Sequence, residues 1–326
     1  MVNDGGNGRL VTIFGGSGFV GRYTVRALAK RGWRIRAAVR RPDLAGHLQP
    51  MGGVGQIQAV QANLRYPQSV AAAVEGADAV VNLVGILAGT GSQTFTKIHD
   101  EGARTVAQAA RDAGATQMVH LSAIGADASS PGNYGRTKAA GESAVLEVTP
   151  SARILRPSIV FGPEDQFFNR FADLAMRAPA LPLIGGGRTR FQPVYVNDVA
   201  LALANAVEGA GTPGTIYELG GPDIITFRKL LERVKEWTGR RPGFAPMPFF
   251  AAKLLGLATW PLPNALRPIT VDQVRMLQSD NVVSAAALEE GRTLAALGVE
   301  QPHTIASIVP DYLVRFRPKG QYSRYR

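Results

Sequence analysis

The sequence contains no cysteine. That excludes disulfides, thiolate metal sites and cysteine nucleophiles together, and it suits a reducing compartment. Histidine is scarce: His47, His99, His120 and His303 are scattered, with none of the spacings of a metal site. No apolar run is long enough to span a bilayer. The most apolar stretch, Pro248 to Pro263, is too short and carries Lys253 and further prolines. The opening MVNDGGNGRL lacks the basic and apolar segments of a secretory signal, which points to a cytosolic chain. No Gly-x-Ser-x-Gly elbow, Walker lysine or nucleic-acid-binding module is recognisable. Acid is also short: 25 Asp and Glu face 36 Lys and Arg, a net charge of +11. Such an excess suits an acidic partner, whether anionic lipid, an acidic protein surface or a phosphorylated ligand; nucleic acid is disfavoured because no module accompanies the charge. Much of the excess is arginine spread along the chain, but Val314 to Arg326 holds five basic residues and no acid.

What is present is ordinary globular composition, 45% apolar and 19% charged over 326 residues. That length accommodates one large α/β domain and a smaller lobe, with a core that needs no staples. The first half alternates β-branched runs with helical stretches. Strands are expected at Leu10 to Phe14, Arg34 to Val39, Gln56 to Ala62, Ala79 to Val84, Met118 to Ser122 and Arg153 to Leu155. Helices are expected at Val20 to Lys30, Pro67 to Val74, Phe95 to Ala113 and Gly135 to Glu147. Near-continuous apolar runs such as DAVVNLVG read as parallel strands buried on both faces. Right-handed crossovers then give a Rossmann-type, doubly wound parallel α/β sheet. The alternation thins after Phe161. The expected division is a dinucleotide-binding domain over 1–160, to which helices and a strand from 190–220 return, and a smaller C-terminal α+β lobe over 161–326.

Three motifs carry chemistry. In LVTIFGGSGFVGRYTVRALAKRG a strand runs into Gly15, Gly18 and Gly21 and then directly into a helix. Gly15 permits the tight turn, Gly18 lets a pyrophosphate approach the backbone, and Gly21 allows close packing of helix on strand. Ser17, Phe19 and Val20 share this turn, where unpaired helix N–H groups face phosphate. One βα unit later an NAD site would carry Asp or Glu for the ribose 2′-hydroxyl; here stand Arg40 and Arg41. Two guanidinium forks suit a 2′-phosphate, so NADP(H) is the expected cofactor, with Asp43 as the nearby competing group. The third motif is YGRTK, Tyr134 to Lys138, opening a helix after the fifth strand. Residues four apart share a helix face, so the Lys138 ammonium can favour the Tyr134 phenolate and bring it into proton-transfer range.

With these residues in place the chain resembles the extended or atypical short-chain dehydrogenase/reductase superfamily. The likeness runs through GGSGFVG, ANLR (62–65), NLVG (82–85), YGRTK and LRPSIVFG (155–162). It implies adenine contacts for Asn63 and Leu64, cofactor contacts for Val84 and Gly85, and places for Pro157 and Ile159 beside the nicotinamide. Lys138 would also bind the nicotinamide ribose. A catalytic member needs a Ser or Thr after the fifth strand. Ser122 is the first candidate, while Ala123 and Ile124 stand where that hydroxyl usually falls. A narrower resemblance is carried by RPSIVFGPEDQFFNRFA and FQPVYVNDVALALANAV, which are similar to the nucleotide-binding accessory subunits of respiratory complex I and their bacterial relatives. It implies tightly held NADPH and a role in assembly and stability of the peripheral arm, on the cytoplasmic face of a bacterial inner membrane or the matrix side of a mitochondrial one. The second lobe, the stretch Phe249 to Trp260 and the basic tail would then meet neighbouring subunits, with anionic lipid as a further contact. Tyr134 and Lys138 keep an alternative open: a free NADP-dependent reductase, dehydrogenase or epimerase acting on a small carbonyl or sugar-nucleotide substrate.

Overall fold

The computed structural model describes residues 8–89, 91–259, 269–320 and 322. Strands β1 (Leu10–Phe14), β2 (Arg34–Val39), β3 (Ile57–Gln61), β4 (Ala79–Asn82), β5 (Gln117–Leu121) and β6 (Arg153–Pro157) alternate with helices α1 (Phe19–Ala29), α2 (Pro67–Val74), α3 (Glu101–Asp112) and α4 (Asn133–Val148). The chain then passes through α5 (Phe168–Arg177), α6 (Val196–Val207), β7 (Ile216–Leu219), α7 (Phe227–Thr238), α8 (Phe249–Ala258), α9 (Val271–Met276), α10 (Ala285–Glu289) and α11 (Ile305–Leu313). It divides into two compact units. The first is Met1–Pro157 with Asn197–Leu219 and Ala285–Glu300; the second is Ser158–Val196 with Gly220–Ser284 and Gln301–Arg326.

The first unit is the expected doubly wound α/β sheet. Its seven parallel strands lie in the order β7-β6-β5-β4-β1-β2-β3, so the winding reverses between β1 and β4. Ligands of such sheets bind outside the carboxyl ends of the strands at that reversal. One core joins Phe14, Val80, Met118 and Ile154 of the sheet to Ala103 and Val106 of α3 and Val145 of α4. Strand β4 stops at Asn82, two residues short of expectation, because the Asn82 side chain accepts the Val84 N–H at 3.1 Å in place of a ladder partner. The helix expected from Phe95 to Ala113 is divided: a π-helical turn, Thr96–Asp100, precedes α3. The segments 197–219 and 285–300 belong to this unit. Arg31 bonds Asn205 and Glu208, and Arg292 bonds the carbonyl of Ile216.

The second unit has an aromatic core of Phe161, Phe168, Phe191, Phe227 and Trp237, joined by Leu181, Val309 and Leu313. Asp165, from the GPEDQFFNRF string, braces it. Its carboxylate accepts the backbone N–H groups of Gly162 and Asn169, each at 3.2 Å, and the hydroxyl of Tyr312 on α11. Burial raises the Asp165 carboxyl above the usual carboxylate range. The basic tail is partly consumed here: Arg315 donates to Asn169 and Arg317 to the carbonyl of Trp237. Trp260, Gln321 and residues 323–326 lie outside the described residues.

Gly141 on α4 tests how α4 packs against the π-helical turn. A Cβ there would lie 1.9 Å from the carbonyl oxygen of His99, so the approach depends on glycine. Gly141→Ala is expected to cost about 1–3 kcal/mol of stability in urea denaturation, the range for overpacking. Ser143→Ala on the exposed side of α4 should leave the midpoint unchanged.

Candidate functional site

The glycine turn is built for close approach. Strand β1 ends at Phe14, Gly15 turns the chain at φ +79°, and Gly18 serves as N-cap of α1 with its N–H bonded to the carbonyl of Gly15 at 3.0 Å. A Cβ at Gly21 would stand 2.2 Å from that same carbonyl. No side chain caps α1 and no acid occupies its first turn, so its N–H groups are left to an anion. Ser17, Phe19 and Val20 are half-buried at this end. The residues present therefore fit a dinucleotide pyrophosphate.

At the end of β2 the two arginines differ. Arg40 is exposed. Arg41 is held by Asp43 through two bonds of 3.0 and 2.7 Å, and that partnership raises its pKa. Asp43, the competing group in the sequence, is thus the partner of Arg41 in this structure. The pair is solvent-exposed, where such bridges are weak and readily exchanged for a phosphate.

At the end of β3, Asn63 accepts the Arg65 N–H at 3.2 Å and donates its own N–H to Ser69. Leu64 is in the core, packed on Gly102, so its side chain is not ligand-facing. After β4, Val84 reaches the glycine turn: a Cβ at Gly15 would meet its methyl group at 3.3 Å. Gly85 reaches the other motif, since a Cβ there would lie 3.3 Å from the Lys138 Nζ. These two residues link the phosphate turn to YGRTK.

Tyr134 sits in the first turn of α4, its ring edge-on to His99 and Phe95 at centroid distances of 5.4 and 6.2 Å. Lys138, one turn on, is 4% exposed and donates to the carbonyl of Leu121 at 3.1 Å. Burial pushes its ammonium down to about 8, while Glu142 opposes the shift. Glu142 is itself gripped by both arms of Arg156, at 2.8 and 2.5 Å.

Sequence reasoning missed the histidines. His99 accepts the Ile86 N–H on Nε2 at 3.0 Å, which leaves Nδ1 to carry the proton toward Thr137 Oγ1 at 3.1 Å. Thr137 in turn donates to the carbonyl of Asn133, so every atom of the chain of bonds is used. His120 is paired in register with Asn82 on the adjoining strand, on the face covered by α3 and α4. Both ring nitrogens of His120, the Asn82 Nδ2 and the Ser122 Oγ are buried without a partner, the whole set of such atoms among the described residues. Four orphaned polar atoms at the carboxyl ends of β4 and β5 mark a place completed by water or ligand. Burial first, and the Lys138 charge second, hold His99 and His120 at about 3. Only the topology unites these residues; their spacing in sequence carries no signal.

Of the expected site residues, the first unit contains all but one. Pro157 ends β6 with its carbonyl accepting the Ile124 N–H at 3.0 Å. Ile159 belongs to the second unit and packs on that unit's aromatic core.

Residues 11–220 match the model of the NAD dependent epimerase/dehydratase family. The chain belongs to that family. It is 34% identical over 326 residues to the Arabidopsis thaliana mitochondrial NADH dehydrogenase [ubiquinone] 1 alpha subcomplex subunit 9, covering 96% of this chain and 79% of the relative. It is 31% identical over 289 residues to the ceramide reductase of Caulobacter vibrioides, covering 86% and 88%. Among solved structures, the NADPH-dependent quinone oxidoreductase of Escherichia coli, complexed with NADPH, superposes with a TM-score of 0.71 at 21% identity, over 93% of this chain and 99% of that one. The last likeness is one of fold. NAD(P) binding is typical of the family.

The histidines give the site a pH signature. Their folded pKa values lie below the unfolded value of about 6.5. The stability they contribute is therefore complete above 6.5 and is lost as pH falls toward about 3. Each should add about 1.4 kcal/mol per pH unit to the acid slope in that window. Urea titrations at a series of pH values should show a slope shallower by about that amount in His120→Phe than in the parent chain.

Proposed function

We propose that this chain is an NADPH-binding accessory subunit of respiratory complex I, NADH:quinone oxidoreductase, in which the bound dinucleotide has a structural role. It would sit peripherally on the inner face of the membrane and contact other subunits of the peripheral arm. The observation that carries the reading is the near full-length identity to the plant subunit, across both compact units and not the dinucleotide fold alone. The geometry agrees with it. Ser122, the candidate third catalytic hydroxyl, is 4% exposed behind the strand end, and Ala123 and Ile124 follow it.

In this reading Gly15, Ser17, Gly18, Phe19, Val20 and Gly21 hold the pyrophosphate against the start of α1. Arg40 and Arg41 take the 2′-phosphate, with Arg41 exchanging Asp43 for it. Asn63 and the Leu64 backbone border the adenine, Val84 and Gly85 run along the ribose, and Pro157 borders the nicotinamide. Lys138 orients the nicotinamide ribose. When bound, the cofactor supplies a hydride-carrying ring, which the accessory role leaves unused.

One observation favours a second reading. Tyr134 and Lys138 are both present on one face of α4, and the Caulobacter relative at 31% identity is named a reductase. In that case Tyr134 would move a proton to or from a substrate oxygen, and Lys138 would favour its phenolate.

Two measurements separate these readings. Gentle detergent extraction of host membranes, followed by sizing and nucleotide analysis, should bring the chain out with a megadalton-scale NADH:quinone oxidoreductase carrying stoichiometric NADPH. A free chain with exchangeable cofactor, and carbonyl turnover abolished by Tyr134→Phe, would overturn the subunit assignment. For the cofactor itself, replacing both Arg40 and Arg41 by alanine should weaken NADPH about ten-fold or more in a fluorescence titration and leave NADH affinity unchanged.

A further inference from the structure

We propose that the second unit binds an anionic lipid surface through the exposed face of α8. Helix α8 is apolar on both its inner and its outer side. In FFAAKLLGLA the small residues Ala252 and Gly256 face inward, and a Cβ at Gly256 would lie 2.9 Å from the Val271 nitrogen of α9. Phe249 packs inward with them, while three other large apolar residues face outward: Phe250, Leu254 and Leu257 are 68%, 61% and 59% exposed. Their spacing of four and three residues puts them in one row along the helix. A scattered exposed leucine needs no explanation, but a helix that is apolar all round is normally covered on every side. Among the described residues, α8 is covered on one.

Charge says what covers it. The segments that make up the second unit carry 18 Lys and Arg against nine Asp and Glu, which is +9 of the chain's +11, on the smaller of the two units. The only charged residue of α8 is Lys253, three positions from Phe250. α9, packed beside it, adds Arg275 and the single acid Asp272. The strand leading into α8, Gly243–Met247, carries Phe244, over whose ring Lys235 and Arg228 of α7 lie at 4.5 and 5.7 Å. An apolar row flanked by cations is the arrangement of a helix lying in the headgroup layer, its side chains in the acyl boundary and its lysines on phosphate. α8 is far too short to cross a bilayer, and no helix among the described residues is long and apolar enough to do so. It lies on the surface.

This inference is independent of the cofactor and of the subunit assignment, and its test separates them. The purified full chain is floated with vesicles of phosphatidylcholine alone, and with phosphatidylcholine mixed with phosphatidylglycerol at about two to one. The expected result is flotation with the anionic vesicles only, weakened by salt. The triple variant Phe250→Ser, Leu254→Ser, Leu257→Ser should lose at least about ten-fold in binding while retaining the parent melting temperature and NADPH affinity. A Phe250→Trp variant should show a blue-shifted emission on the anionic vesicles. Absence of flotation, equal flotation of parent and triple variant, or an unshifted tryptophan would overturn the proposal. If the triple variant instead fails only to join its native complex, the row is a protein contact, and the lipid assignment falls.

Discussion

Everything that places the site follows from the reversal of winding between β1 and β4. A parallel sheet covered by helices on both faces exposes backbone to a ligand only at its strand ends. Where the connections turn opposite ways, the loops after neighbouring strands part and leave a crevice. In this chain the loop after β1 is the glycine turn and the loop after β4 is Asn82 to Gly85. The contact of Val84 with Gly15 is the floor of that crevice, and Gly85 against Lys138 is its continuation toward α4. Side chains larger than hydrogen at Gly15 or Gly85 would crowd Val84 and Lys138, and one at Gly21 would collide with the backbone of the turn.

Beneath the crevice the electrostatics are those of a dry interior. Lys138, His99 and His120 are all driven toward their neutral forms, for the same reason: water has been withdrawn from them. The response differs with the partners available. His99 satisfies both nitrogens within the chain, whereas His120 satisfies neither. A site with this much unpaired polarity is held in place by the surrounding core and not by its own bonds. The close contact of Gly141 with the carbonyl of His99 is part of that hold. The same surroundings suit two uses of one cofactor. A buried lysine near 8 can serve a phenol in proton transfer, or can simply orient a ribose.

The two compact units divide the physical work. The first is nearly neutral and carries the dinucleotide motifs; the second carries most of the positive charge and the exposed apolar row of α8. The GPEDQFFNRF string, distinctive in sequence, proves to be a brace for the second unit's core: Asp165 ties the start of α5 to α11, and Asn169 takes the hydrogen bond of Arg315. Its specificity is therefore that of an architecture. The likeness to the plant subunit spans 96% of this chain and so reaches beyond the dinucleotide-binding unit.

By itself the sequence determined the sheet of the first unit, the glycine turn and the YGRTK helix. These are local: a strand's apolar run, a glycine's freedom at Gly15, and a helical spacing of four all act between near neighbours along the chain. Strands β1 and β2 stand at their expected residues because both are bounded by sharp turns. Tertiary structure alone decided the rest. Leu64 went to the core because α3 left room for it over Gly102. The interruption of the helix at Thr96–Asp100, the pairing of His120 with Asn82, and the return of residues 285–300 to the first unit join positions far apart in the chain. Periodicity reports which face of an element is apolar; it cannot report which distant residue will meet it, because that is set by how the elements stack.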